Sequence, residues 1–159
     1  VYKRQYLFFH GMKQISENLF TTEEQAIIAR SKAEGSYMKA PNGQATNLDE
    51  KQWAQVRTRA FREWFGDWEN NPNEASKVRD ANGEPLVVYH GSRENFYEFK
   101  RWTDGLINSG HFFSPDRKNA SEYGGNIYDV YLNLRNPLEV DAQGANFSSI
   151  EYGLALIHI

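Results

Sequence analysis

The feature that most constrains this fold is a run of large apolar side chains at helical spacing near the middle of the chain. The positions that form this run are Trp53, Val56, Ala60, Phe61, Trp64, Phe65 and Trp68. Apolar residues one, three and four positions apart share one face of a helix, so the pattern predicts an amphipathic helix. We expect Asn47 to cap this helix, with Glu50 completing a capping box.

Composition excludes several classes of protein. The chain has 159 residues, of which 40% are hydrophobic, 25% charged and 14% aromatic, so it is typical of one globular domain and not of a disordered chain. A net charge of -3 does not indicate a dominant nucleic-acid binder. A mean hydropathy of -0.74, with no long apolar run and no secretory leader pattern, predicts no membrane association.

The residues that metals and redox chemistry need are scarce. The absence of cysteine excludes disulfides, thiol nucleophiles and cysteine zinc sites. The histidines are His10, His90, His111 and His158, and their separation in sequence gives no metal-ligand spacing. We therefore expect no metal site.

Three regions are expected along the chain. Residues 1–45 form a flank with one helix, which begins near Thr21 or Thr22 and ends at Gly35. Residues 46–72 form the tryptophan-rich helical lead-in. Residues 73–159 form a region of short extended segments, which follows a polar, turn-rich boundary.

The third region alternates predicted strands with one short helix. The expected elements are strands at 86–89, 110–114, 127–134 and 138–140, and a helix over 116–123. Ser114 is expected to cap that helix, with Pro115 at its first position. With the preceding helices, this order predicts an α+β fold with a partial sheet.

Two clusters in this region have side chains suited to chemistry. In the first, His90, Gly91 and Ser92 follow an apolar strand, where a glycine without a Cβ lets a ligand approach the backbone. The second combines Phe112 with Tyr123, an aromatic residue that can stack on a flat heterocycle. A purely structural interpretation is open for both: a hydrogen-bonded histidine before a turn glycine, and aromatic residues in a core. We expect Phe113 to belong to the core.

Taken together, the clusters resemble the NAD-binding half of ADP-ribosyltransferases. The order is HGS, then GHFFS, then a short helix ending in tyrosine, as in the group with a histidine–tyrosine–glutamate signature. That group includes the diphtheria-toxin-like enzymes and the poly(ADP-ribose) polymerases. The stretches WAQVRTRAFREWFGDWE, ASKVRDANGEPLVVYHGS and YLNLRNPLEV are similar to ADP-ribosyltransferase domains of phage polyvalent proteins. The resemblance covers about residues 40–145.

The resemblance implies a role for each matched residue. His90 would hold the nicotinamide-side ribose, and the backbone of Gly91 would bind the carboxamide. Ser92 would lie near the ribose. Many relatives carry a serine three residues before the stacking tyrosine, where this chain has Ala120, with Ser121 beside it as the candidate binding residue. Tyr123 would stack on nicotinamide. Phe112 stands where the signature tyrosine is expected, so the ring is kept and its hydroxyl is lost.

The third motif of the family, a glutamate or glutamine on a later strand, has no convincing match. Glu151 is the lone carboxylate near the end, and its context differs from the motif. We therefore expect the domain to be truncated at its C-terminus, and the terminal residues resemble adapter-derived ends of metagenomic sequences.

The function implied is toxin-like transfer of ADP-ribose from NAD to an unknown acceptor, which could be a host protein. A phage-delivered protein would act in the cytoplasm of the bacterial host. The alternatives are a non-catalytic nucleotide- or protein-binding module, with the WFGDW segment as its interaction face, or a structural fragment with exposed strand edges.

Two further groups of residues have a structural interpretation. His10, in FFHG, repeats the strand-histidine-glycine pattern without the motifs that follow it, so we expect it to be structural or disordered. Arg57, Arg59 and Arg62 could contact a phosphate. We favour a solvated face opposite the apolar stripe.

Overall fold

The computed structural model describes residues 8–10, 20–99 and 111–137. The elements in these ranges are β1 (Phe8–His10), α1 (Thr22–Glu34), α2 (Glu50–Gln55), α3 (Arg59–Phe65), β2 (Val88–Ser92), α4 (Arg117–Ser121) and β3 (Asn126–Tyr131). The chain has an α+β fold with a small antiparallel sheet, as predicted. The predicted order, helices first and strands after them, is only partly right, because β1 precedes the helices and α4 lies between β2 and β3. The expected strand at 138–140, Glu151 and His158 lie outside the described residues, as does the side chain of His10.

The ends of α1 follow from local sequence. The Thr21 hydroxyl accepts a hydrogen bond from the Glu24 amide, and the Glu24 carboxylate accepts one from the Thr21 amide. Gly35 ends the helix with a φ of 74°, a left-handed conformation that glycine adopts without steric cost. The predicted capping box and C-cap are both confirmed.

The tryptophan-rich segment forms two short helices instead of the single predicted helix. Asp49, not Asn47, caps α2, because its side chain accepts from the Gln52 amide at 2.7 Å. Thr58 interrupts the helix and caps α3, since its hydroxyl accepts from the Phe61 amide at 3.3 Å. Threonine is a favourable N-cap and a weak helix former, so it ends one helix and begins the next.

Arg57, in the break between the helices, is buried, which corrects the prediction of a solvated face. Its guanidinium lies 3.1 Å from both Glu69 and Glu84, and 4.0 Å from the centre of the Trp53 ring. Burial lowers the pKa of Arg57, an effect that its two carboxylate partners oppose. Arg59 is exposed as predicted.

The sheet has the strand order β1-β3-β2, and both pairings are antiparallel. In β2, His90 pairs with Tyr128 and Gly91 pairs with Ile127. The strand therefore begins two residues later than predicted and includes the His-Gly-Ser motif instead of ending before it. Likewise, β3 ends at Tyr131, before the predicted Leu134.

Each face of the sheet packs against a different apolar cluster, because successive side chains in a strand point to opposite faces. Tyr131 packs with the helices, where Phe61 contacts its ring at 5.1 Å between centroids. Val88 and Val130 pack on the other face, with Phe113 half-buried against them as expected. The helix-side cluster contains Ile27, Leu48, Trp53, Ala54, Val56, Phe61, Phe65, Trp68, Ala75, Val87 and Tyr131.

The same packing argues against the WFGDW segment as the interaction face of a binding module. Phe65 and Trp68 are 0% and 1% exposed, so the WFGDW segment contributes to the core and offers little surface to a partner. Its backbone is also bonded to the segment that follows β3, because the Asn133 side chain donates to the Trp64 carbonyl at 2.6 Å. The boundaries proposed at residues 45/46 and 72/73 remain predictions.

Candidate functional site

The backbone of β2 directs the peptide groups of Gly91 away from β3. Tyr89 exchanges two hydrogen bonds with Ser114, at 2.8 and 2.9 Å, on the side of β2 opposite β3. Because backbone groups alternate between the two sides of an antiparallel strand, Gly91 presents its N–H and C=O to the same side as Tyr89. Residues 111–114 pair with β2 only through this single bridge, so the predicted strand is not formed in its described part.

The helix α4 packs directly on Gly91. A Cβ atom at this position would lie 1.8 Å from the Ala120 carbonyl oxygen and 3.5 Å from the Tyr123 Cβ. Similarly, a Cβ at Gly124 would lie 2.1 Å from the Ser92 carbonyl carbon. The absence of a Cβ at Gly91 therefore makes room for α4. The sequence pattern had indicated that it makes room for a ligand.

The structure brings Tyr123 beside Gly91 while leaving its side chain 69% exposed. Tyr123 lies just beyond α4, where its amide donates to Ala120 at 3.1 Å. Asp116 caps this helix by accepting from the Lys118 amide, which corrects the predicted Ser114 cap. The Ser114 hydroxyl instead accepts from the Asp116 amide at 3.0 Å.

His90 projects from the face of the sheet opposite Gly91. Its Nδ1 lies 2.8 Å from the Phe112 carbonyl oxygen, which can only accept, so Nδ1 carries the proton and donates. In the neutral imidazole Nε2 is then an acceptor. Aromatic rings surround the imidazole, with centroid distances from 5.0 Å for Phe99 to 6.3 Å for Tyr128. His90 and Tyr123 therefore approach the C-terminal part of β2 from opposite faces.

The remaining predicted residues are placed around these two. Phe112 is 49% exposed and contributes its carbonyl to His90. The Ser92 hydroxyl accepts from the Glu94 amide at 3.1 Å. The Ser121 hydroxyl donates to the Lys118 carbonyl at 2.7 Å. Both hydroxyl groups thus take part in local turns.

Tyr128, which the sequence did not single out, orders the loop after β2. Its hydroxyl accepts from the Phe96 amide at 2.8 Å, and its ring stacks on Phe96 with centroids 4.2 Å apart. The pairing register puts Tyr128 opposite His90. No spacing rule links residues 96 and 128, so only the fold identifies this contact.

A cavity of about 600 Å³ lies between α1 and α3, away from these residues. The guanidinium groups of Arg57 and Arg62, which line it, form ion pairs with carboxylates. This pairing favours a structural role over a phosphate site.

Within the described ranges, no group of three or more histidine or acidic side chains could hold a metal ion. Over the same ranges, none of the helices has the length and apolar character needed to cross a bilayer.

The candidate residues lie in a part of the chain that matches a known family. Residues 80–154 match the family described as ADP-ribosyltransferase in polyvalent proteins. Neither a curated protein nor a solved structure matches the chain. The matched range includes β2, α4 and β3, and therefore His90, Gly91 and Tyr123. The region that contains these residues is therefore similar to the ADP-ribosyltransferase domains of polyvalent proteins.

Proposed function

We propose that this domain binds NAD beside Gly91 and transfers its ADP-ribose to an acceptor, releasing nicotinamide. The observation that supports the proposal is the closeness of Tyr123 to Gly91: the Tyr123 Cβ lies 3.5 Å from the position that a Cβ of Gly91 would take, and Tyr123 is 69% exposed. To bind nicotinamide, a site needs a surface on which the ring can stack, together with a hydrogen-bond donor and an acceptor for its carboxamide. Tyr123 and Gly91 offer these side by side.

His90 has the complementary chemistry for a sugar. Its Nδ1–H is held by the Phe112 carbonyl, so Nε2 is left as an acceptor with a fixed direction. A ribose hydroxyl is a suitable donor to such a nitrogen. Ser92 and Ser121, which stand two residues from His90 and from Tyr123 in sequence, are proposed as further ligand contacts. Phe112 supplies the carbonyl that orients the imidazole.

The reaction breaks the bond between the ribose anomeric carbon and the nicotinamide nitrogen. Nicotinamide leaves with the bonding electron pair, positive charge develops on the ribose, and an acceptor nucleophile forms the new bond and loses a proton. In this proposal NAD crosses the edge of β2 that faces away from β3, so that Tyr123 and Gly91 hold nicotinamide and His90 reaches the ribose from the opposite face of the sheet. Holding both halves of the breaking bond lowers the entropic part of the barrier. A carboxylate would stabilise the developing charge. Glu151 lies within the matched range but outside the described residues.

We propose a molecule of the bacterial host cytoplasm, such as a host protein, as the acceptor. This step rests only on the resemblance to phage polyvalent proteins.

The proposal is tested by calorimetric titration of NAD into the chain and into two matched variants. Tyr123→Ala removes the proposed stacking ring, whereas Tyr97→Ala removes a tyrosine that is 80% exposed elsewhere. Loss of one stacking contact should weaken NAD binding by roughly tenfold in Tyr123→Ala, and Tyr97→Ala should bind like the unchanged chain.

Chromatographic measurement of nicotinamide release distinguishes a transferase from a non-catalytic nucleotide-binding module. Binding that depends on Tyr123 and is accompanied by release supports the transferase. Tyr123-dependent binding without release supports the non-catalytic nucleotide-binding module. A folded chain that does not bind NAD, or equal binding by both variants and the unchanged chain, contradicts the proposed site.

A further inference from the structure

The position of Tyr123 depends on a helix too short to be stable alone. α4 has five residues, fewer than an isolated helix needs to persist in water, so its contacts with the sheet must hold it in place. At its C-terminal end, Ala120 and Gly124 approach Gly91 and Ser92 closely. Ala120 is 3% exposed there, so its packing on β2 helps to hold this end of the helix.

An attachment exists at the other end of the helix. Arg117, its first residue, places Nη1 2.6 Å from Asp129 Oδ1 and its guanidinium carbon 5.5 Å from the centre of the Tyr89 ring. Tyr89 and Asp129 are paired across β2 and β3. The Arg117 guanidinium therefore contacts both members of a cross-strand pair, on the sheet face that carries Gly91. Arginine suits this position because its planar guanidinium can form an ion pair with a carboxylate and lie over an aromatic ring at the same time.

We infer that Arg117 is a positioning residue, which holds α4 on the Tyr89–Asp129 pair and thereby fixes Tyr123 beside Gly91. The inference rests on the proposed function, since Tyr123 matters there as the stacking ring. The Arg117 and Asp129 side chains are 58% and 26% exposed, so their ion pair adds little to global stability. Its loss should therefore alter the placement of α4 without unfolding the chain.

The first test uses amide hydrogen exchange and needs no ligand. In Arg117→Ala, the amides of Ala120, Glu122 and Tyr123, which donate within this helix and its end, should exchange faster than in the unchanged chain. Lys118→Ala removes the neighbouring exposed cation of the same helix and should leave their exchange unchanged. Equal exchange in Arg117→Ala and the unchanged chain overturns the inference.

The second test uses NAD affinity in Arg117→Ala, Tyr123→Ala and the double variant. We expect Arg117→Ala to bind NAD roughly threefold to tenfold more weakly, with a melting temperature close to that of the unchanged chain. The double variant should bind no more weakly than Tyr123→Ala, because Arg117 acts through Tyr123.

Other results separate the failure of this inference from failure of the proposed function. Fully additive losses, or an equal loss in Lys118→Ala, would show that Arg117 attracts the anionic dinucleotide by charge alone, and would overturn the positioning role. If the unchanged chain does not bind NAD, the proposed function fails, and hydrogen exchange still decides whether Arg117 anchors α4.

Discussion

The carbonyl oxygen of Ala120 occupies the space that a side chain at Gly91 would need. An ideal Cβ at Gly91 would lie 1.8 Å from this oxygen, and the obstacle is backbone that cannot rotate away. The helix and the central motif residue of the site are thus in direct contact. Any side chain at position 91 must displace either β2 or α4, and with α4 it would move Tyr123.

Gly91→Ala should lower the free energy of unfolding by about 1–3 kcal/mol, the usual result of overpacking, and should abolish NAD binding. Gly125→Ala is the matched control, since a Cβ there meets nothing within 4 Å. Urea denaturation and calorimetry measure the two effects. A Gly91→Ala protein as stable as Gly125→Ala would contradict the close packing of α4 on β2.

His90→Asn should separate the structural and functional nitrogens of the imidazole. The asparagine amide can still donate to the Phe112 carbonyl in place of Nδ1–H, but it has no counterpart of Nε2. We expect NAD affinity to fall about tenfold with a small change in stability, whereas His90→Ala should lose both affinity and stability. Full NAD affinity in His90→Asn would show that Nε2 does not contact the ligand.

Arg57→Ala should be among the most damaging changes in the lead-in. It leaves the Glu84 side chain, which is 0% exposed, without its cationic partner. Breaking a buried ion pair from one side costs about 3–5 kcal/mol. Arg59→Ala, at a site 83% exposed, should leave the free energy of unfolding nearly unchanged. Urea denaturation compares the two variants, and similar losses would be inconsistent with the burial of Arg57.

Glu24 should make the stability of the chain depend on acid pH. Burial opposes ionisation of Glu24, but the hydrogen bonds from Lys51 and from the Thr21 amide prevail and hold its pKa below the usual 4.5. The unfolded chain therefore takes up this proton first as the pH falls. Stability from Glu24 is complete above about pH 4.5 and is lost as the pH falls through the lower folded pKa.

Unfolding in urea at pH 7 and pH 3.5 tests this expectation. Glu24→Gln should lose less stability between the two conditions than the unchanged chain does. Glu34→Gln, at an exposed position on the same helix, should behave like the unchanged chain. Identical pH dependence in Glu24→Gln and the unchanged chain would contradict the lowered pKa.

Local patterns were sufficient where one short segment decides the outcome. Thr21, Glu24 and Gly35 define the ends of α1 because capping is satisfied by neighbouring residues. The His-Gly-Ser and aromatic motifs were enough to indicate the family that residues 80–154 match, and the presence of both helix and strand patterns was enough to predict an α+β fold. The assignment of individual site residues remains a prediction.

Local sequence patterns gave wrong predictions where contacts with a distant segment of the chain determine the structure. The apolar stripe predicts one helix, yet Thr58 begins a new helix and Arg57 turns inward, because Glu84 lies 27 residues away in sequence and next to it in space. The glycine of the motif suggested room for a ligand, but Ala120 fills that room. The helix caps at Asp49 and Asp116 were missed because several neighbouring residues could cap equally well.

The sequence by itself determined which residues are apolar, where α1 begins and ends, and which family motifs the chain carries. Only the tertiary structure decided that Tyr123 lies beside Gly91, that His90 projects from the opposite face, and that Arg117 joins α4 to Asp129. The physical reason is the range of the interactions. Caps and periodicity are satisfied within a few residues, whereas side-chain burial and cross-strand pairing depend on segments that meet only after the chain has folded.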